Sequence, residues 1–305
     1  MEYALDIHHL SKSYGGPGRR TLSLSGSRNA AGGFHLNDVS FALPKGYIMG
    51  LIGPNGAGKT TIIKLILNLL RRDGGDIKVL GMDNVDGEIE IKSRIGFVHD
   101  TTFFYEHLTL ATLRKTVAPF YRDWDDALFL RLIEEFRLPI GKRLKTLSRG
   151  MKMKFALAVA LAHKADFLIL DEPTSGLDPV FRSELLKRLS AFIQDEGKSV
   201  LFSTHITSDL ERIADYITFI RGGEIVFSSP RDRILGAWAV VKGGPELLAA
   251  EHRTFFKGFR QGAYGVQALT ADGAEARRRF GRDAVVESAT LEDIMFFMTK
   301  GNGHA

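Results

Sequence analysis

Three groups of residues in this chain have types and spacings suited to chemistry on a polyanion. The first is Gly53-Pro54-Asn55-Gly56-Ala57-Gly58-Lys59-Thr60, with four residues between Gly53 and Gly58 and then Lys and Thr. This is the pattern of a phosphate-binding loop. Glycines let the backbone wrap clustered negative charge and turn its N–H groups inward, because no Cβ blocks the approach. Lys59 can place a positive charge between terminal phosphates, and Thr60 can offer a hydroxyl to Mg²⁺. The second group is Asp171 and Glu172, which follow the apolar run Phe167-Leu168-Ile169-Leu170. Two acids at a strand tip are costly unless a cation or a proton-transfer role compensates. Asp171 suits a metal and Glu172 suits activation of a water. The third is His205, which follows the strand-like run Ser199 to Phe202 with Ser203 and Thr204 between.

These residues need elements to position them. Tyr47 to Ile52 is an apolar stretch of strand length, and Thr61 to Leu70 is long and apolar enough for a buried helix. Strand, glycine loop and helix put the phosphates at a helix N-terminus, where free N–H groups and the dipole favour anions. Strand signals recur at Phe167 to Leu170 and Ser199 to Phe202, separated by a helix over 180–195. Buried runs of this kind indicate a parallel α/β core. Open sheets of that type bind ligands at the strands' C-terminal ends, where Asp171, Glu172 and His205 fall. Residues 3–10 and Val39 to Leu43 predict further strands, and 15–34, rich in Gly, Ser and Arg, predicts a long loop. Residues 76–98 predict short strands. Residues 101–164 predict an inserted helical subdomain, with helices at Asp125 to Phe136 and Lys152 to Ala162. Tyr216 to Ile220 and Glu224 to Phe227 flank Arg221-Gly222-Gly223, a hairpin signal. After Pro230 the pattern predicts a small α+β appendage: strands at 237–242, 263–270 and Val285-Val286, and helices at 245–251, 272–280 and 290–299.

The run Leu147-Ser148-Arg149-Gly150-Met151, followed by Lys152 to Ala165 and then LILDEPTSGLDP (Leu168 to Pro179), resembles the ATP-binding subunit of an ABC transporter. So does the order of motifs: phosphate loop, helical insertion, signature, carboxylate pair, histidine. The resemblance covers about 3–228 and is closest to bacterial exporters whose ATPase and permease are separate chains. It implies an α/β P-loop NTPase core of the ABC-ATPase type, with an antiparallel β subdomain and an inserted α-helical subdomain. It also implies a division into an ATP-binding domain at 1–230 and an accessory domain at 231–305.

The same resemblance implies ATP and Mg²⁺ as cofactors. The nucleotide set would be Gly53, Pro54, Asn55, Gly56, Ala57, Gly58, Lys59, Thr60 and Thr61, with Tyr14 stacked on adenine. An ordinary strand-end tyrosine fits position 14 as well. Ser148 and Gly150 would contact the γ-phosphate held by the opposite subunit, and Ser148 also fits a helix N-cap. Asp178 either links two active sites across a dimer or caps the helix that starts at Pro179. Thr60, Asp171 and Asp100 would face the metal, Glu172 would be the base, and His205 would touch the γ-phosphate. Asp100 stands where many members have Gln, and Arg149 and Met151 depart from the usual signature. Thr101 to Glu106, with three adjacent aromatics, either receives a permease helix or packs the insertion onto the core. Implied partners are transmembrane permease subunits and a second ATP-binding subunit.

Composition agrees with this class. The 305 residues are 44% hydrophobic and 25% charged, as in a globular protein of one large or two smaller domains. A net charge of +5, with no long basic tract, does not point to nucleic acid. The chain has no cysteine, which rules out disulfides and thiolate metal sites. No run of about 18 apolar residues predicts a membrane span, and the N-terminus lacks the features of a signal peptide. The expected location is the cytoplasm, on the inner face of the membrane. Two competing classes fit the sequence less well. Chromosome-maintenance relatives insert long coiled coils between loop and signature, but Lys59 and Ser148 are only 89 positions apart, without sustained heptads. A regulatory module that hydrolyses poorly is opposed by Asp171, Glu172 and His205 and favoured mildly by Asp100.

Overall fold

The computed structural model describes residues 2–14, 33–99, 104–195, 197–262 and 265–300. Most of the predicted 15–34 loop, Asp100 and Thr101 to Phe103 lie outside the described residues. The chain divides into two compact units, one of residues 1–205 with 218–227, the other of 206–217 with 228–305.

The first unit carries the phosphate loop. Strands β1 (Tyr3–Ser13), β2 (His35–Pro44), β4 (Gly74–Val79) and β5 (Met82–Asp83) form an antiparallel sheet in the order β2-β1-β4-β5. A second sheet has the order β10-β9-β3-β8-β7-β6. Its strands are β3 (Ile48–Ile52), β6 (Ile95–His99), β7 (Phe167–Asp171), β8 (Ser199–Thr204), β9 (Tyr216–Arg221) and β10 (Glu224–Pro230). Every residue of β3, β7 and β8 is buried, which is why these strands read as continuous apolar runs rather than alternating ones. Their parallel register pairs Ile52 with Thr204, Asp171 with Ser203, and His99 with Asp171. The C-terminal ends of four strands therefore finish level, and the polar residues there share one edge.

Helix α1 (Lys59–Ile66) follows β3. It stops short of the predicted Leu70 because Asn68 turns left-handed, at φ 51°. Helix α2 (Glu88–Arg94) replaces a predicted strand. Glu88-Ile89-Glu90-Ile91 alternates like a strand, yet Ile89 is 89% exposed and Glu88 pairs with Lys92 one turn on. The insertion contributes α3 (Leu110–Val117), α4 (Asp126–Glu135) and α5 (Arg149–Ala162). Buried Phe129 of α4 meets Phe155 of α5 edge-on, with ring centroids 6.1 Å apart. Helix α5 packs tightly on β6. A Cβ at Gly96 would stand 3.0 Å from that of Ala160 and closer still to Leu168, so glycine permits the contact. Helix α6 (Pro179–Phe192) connects β7 to β8.

The second unit begins with α7 (Thr207–Ile213) and resumes with α8 (Arg231–Ala237). It continues through β11 (Ala239–Gly243), α9 (Ala250–Arg253), β12 (Gly258–Gly262), β13 (Gly265–Thr270), α10 (Gly273–Phe280), β14 (Val285–Ser288) and α11 (Leu291–Lys300). The sheet is antiparallel in the order β12-β13-β11-β14. From β11 to β14 the path is β-α-β-β-α-β, the ferredoxin-like arrangement. Val241, Phe256, Val266, Ala268 and Phe280 make a core, and Leu291, Ile294 and Phe297 of α11 are buried as well. The sequence reading missed β12, whose short run begins and ends in glycine and reads as a loop.

Candidate nucleotide site

The loop between β3 and α1 surrounds an open cavity of about 210 Å³. Its walls are Phe34, every residue from Pro54 to Thr61, and Glu172. Helix α1 starts at Lys59 with no capping side chain and no acid in its first turn, which leaves its N-terminal end available to an anion. Gly58 precedes it at φ 117°, and a Cβ there would stand 2.7 Å from Leu36 and 2.9 Å from Phe34. Only glycine meets both demands. Lys59 is 7% exposed. Its Nζ donates to the Gly53 carbonyl at 2.8 Å and the Pro54 carbonyl at 3.4 Å, and lies 3.4 Å from Glu172 Oε1. The ammonium thus spans its own loop, at the place where a terminal phosphate would need it.

The strand ends bring three more predicted residues to this loop. Asp171 closes β7 and is buried. Its Oδ2 accepts from Thr60 Oγ1 at 2.9 Å, and its Oδ1 accepts from Ser203 Oγ at 2.5 Å. Burial pushes the Asp171 carboxyl up, but hydrogen bonds from His99, Ser203 and Thr60 together outweigh it and hold the group below the usual carboxylate range. A hydroxyl beside an ionised carboxylate is a pair of hard oxygen donors, which fits Mg²⁺. The donor direction fits too, because Thr60 gives its proton to Asp171 and keeps its oxygen lone pairs for a metal. Glu172 sits at φ 51°, a left-handed conformation that costs a side-chain-bearing residue about 1 kcal/mol. Its N–H donates to the Ser203 carbonyl at 3.0 Å, which pins the turn. Its Oε2 is 2.8 Å from His205 Nδ1, so with the carboxylate ionised Nδ1–H donates and Nε2 is left for another partner.

The remaining predicted residues stand elsewhere. Tyr14 does not line the cavity. Its N–H donates to the Phe34 carbonyl at 2.9 Å, and the two rings are tilted with centroids 6.2 Å apart. Ser148 caps α5, with its Oγ accepting from Met151 N–H at 3.2 Å, and Asp178 caps α6, accepting from Phe181 N–H at 2.9 Å. Gly150 lies in the first turn of α5, where a Cβ would make only an ordinary 3.7 Å contact with Leu177. Nothing within the described chain therefore requires glycine at position 150. Sequence reasoning missed Phe34, Ser203 and His99. Phe34 carries no motif. Ser203 and His99 become visible only when strand register sets them beside Asp171.

Known proteins resemble this chain in sequence and in fold. The ABC transporter family model matches residues 36–175, which hold the phosphate loop, Ser148, Gly150 and the acid pair. The lantibiotic transport ATP-binding protein SrtF of Streptococcus pyogenes is 34% identical over 230 residues, 75% of this chain and 91% of that protein. The bacitracin transport ATP-binding protein BcrA of Enterococcus faecalis is 32% identical over the whole chain and 99% of its own length. A solved structure of the ATP-binding subunit of an ABC transporter superposes with a TM-score of 0.64 at 30% identity, over 76% of this chain and 91% of that one. The predicted fold class is borne out, and the chain belongs to the ABC transporter family as an ATP-binding subunit that hydrolyses ATP to drive transport.

Proposed function

We propose that this chain pairs with a second ATP-binding subunit around two Mg²⁺–ATP and powers export of a peptide cargo through separate permease subunits. The observation that carries the reading is the cavity in which Lys59, Thr60 and Glu172 converge on one helix start. Loop N–H groups from Gly56 to Thr61 and the Lys59 ammonium cradle the phosphates. Phe34 is the aromatic wall of the pocket for adenine, and Tyr14, tilted beside Phe34 and outside the cavity, is the second ring within reach of the base. Thr60 and Asp171 would hold Mg²⁺, and Asp100, outside the described residues, would offer a further oxygen. When bound, the metal neutralises charge on the phosphoryl oxygens. Glu172 takes a proton from the attacking water, and His205 holds the Glu172 carboxylate through Nδ1 while Nε2 serves the γ-phosphate. Ser148 and Gly150 present the start of α5 to the nucleotide of the opposite subunit, which explains a glycine that its own chain does not need. Asp178 caps α6 and links the two sites.

Such a pair closes because one γ-phosphate touches two proteins, and it opens when the bond is cut. The permease contact would be an apolar groove of about 330 Å³ lined by Leu67, Leu69, Phe97, Phe104, Val117 and Tyr121. Phe104 also packs edge-on against Phe155, with centroids 5.2 Å apart, so it serves both packing and groove. Tyr105, 66% exposed, borders it in sequence. Residues 1–230 would be the ATP-binding domain and 231–305 an accessory domain. Among the described residues no helix is long and apolar enough to cross a membrane; the place proposed for the chain, bound to its permease at the cytoplasmic face, follows from its reading as the ATP-binding subunit. Peptide cargo rests on the names of the lantibiotic and bacitracin transport relatives, and export on the resemblance to bacterial exporters whose ATPase and permease are separate chains. The test is affinity capture of tagged chain from membranes of its own organism. A polytopic membrane protein that stimulates its ATPase supports the reading, and capture of ribosomes or chromosomal DNA instead refutes it.

A further inference from the structure

His99 takes no part in the steps above, yet it stands beside the proposed metal ligand. It ends β6 and lies level with Asp171 in the parallel ladder. Its Nε2 is 3.4 Å from Asp171 Oδ2, the same oxygen that accepts from Thr60. Asp171 can rotate its carboxyl plane unless both oxygens are held. Ser203 holds Oδ1 from β8, and Thr60 and His99 hold Oδ2 from α1 and β6. The imidazole is itself confined. Its side chain is 18% exposed, its centroid is 5.9 Å from that of Phe97, and it lines the apolar groove.

We propose that His99 is a positioning residue for Mg²⁺: its Nε2–H keeps Asp171 Oδ2 where it receives the Thr60 proton, so that the Thr60 oxygen faces the metal. The inference rests on Thr60 and Asp171 as the metal ligands. Thr60 can lend its lone pairs to a cation only while a fixed acceptor takes its proton. Partners that orient a ligand in this way are typically worth 10–100-fold in metal affinity. His99 thereby ties the groove wall to the metal site through a single side chain.

The test uses the full chain carrying Glu172→Gln, to prevent turnover, with Mn²⁺ as the probe. Electron paramagnetic resonance follows Mn²⁺ binding in the presence of ATP, and fluorescent ATP reports nucleotide affinity in EDTA. His99→Leu keeps the apolar packing but removes the donor. It should weaken Mn²⁺ about tenfold and leave ATP affinity in EDTA within about twofold. His99→Gln, whose amide nitrogen reaches about as far as Nε2, should recover most of that loss. Unchanged Mn²⁺ affinity in His99→Leu overturns the proposal. Equal loss in both variants overturns it too, because packing rather than the donor would then be responsible. Failure of the parent protein to bind ATP, or Mn²⁺ affinity unmoved by Asp171→Asn, defeats the underlying site assignment and the inference with it.

Discussion

Ser203→Ala is a perturbation whose size follows from the geometry. Ser203 is fully buried, and its hydroxyl donates to Asp171 Oδ1 at 2.5 Å. The hydroxyl also accepts from Glu172 N–H at 3.2 Å, but that N–H keeps the Ser203 carbonyl at 3.0 Å. Alanine therefore removes one charge-assisted hydrogen bond and leaves no orphaned amide. A hydrogen bond to a buried charge contributes about 1.5–3 kcal/mol. We expect a loss of about 2 kcal/mol, or about 30-fold in the ratio of folded to unfolded chain. Trp124 lies in the first unit and Trp238 in the second, so urea unfolding in a Trp238→Phe background reports the first unit through Trp124. The pH dependence has a definite sign. A carboxyl held low in the folded state stabilises above the unfolded carboxylate range, and that stability is lost as pH falls through the folded value. Without Ser203, burial is opposed less, the folded value rises, and acid unfolding begins at higher pH. A loss under about 0.5 kcal/mol at pH 7.5, with an unmoved acid limb, would refute the picture of Asp171 as a carboxylate held by its donors.

Two further outcomes follow from other groups. Arg114 and Trp124 hold the Asp126 carboxyl down to about 2. Asp126 is 49% exposed, so solvent screening limits the effect of Asp126→Asn to about 0.5–1 kcal/mol; the difference should be present above pH 4 and vanish toward pH 2, as read by urea midpoints. Burial pushes the His163 imidazole down, against the opposing pull of the Val159 and Ile95 carbonyls. The unfolded chain then takes the proton first, so stability should fall as pH drops through about 6.5 and that slope should flatten in His163→Gln, by the same measurement.

The phosphate loop was legible in the sequence because its chemistry is local: glycines, lysine and threonine act within eight consecutive residues. The buried strands were legible because a parallel sheet covered on both faces needs uninterrupted apolar runs. What escaped depends on long-range register or on marginal local signals. Ser203 and His99 reach Asp171 only across the β6-β7-β8 ladder, and no spacing along the chain announces that. Helix α2 escaped because Glu88 to Ile91 alternates like a strand, although of its two isoleucines only Ile91 is buried and Ile89 is exposed. Phe34 escaped because its place at the cavity wall is set by its pairing with Tyr14 rather than by any motif.

Light scattering on the Glu172→Gln variant tests the shared-nucleotide claim most directly. With Mg²⁺–ATP, the purified chain or its complex with the permease should show two ATP-binding subunits held together, and the pair should separate when ATP is removed or when Ser148→Arg blocks the start of α5. Subunits that ignore nucleotide in both settings, or a Ser148→Arg protein that pairs as tightly as its parent, would contradict the account.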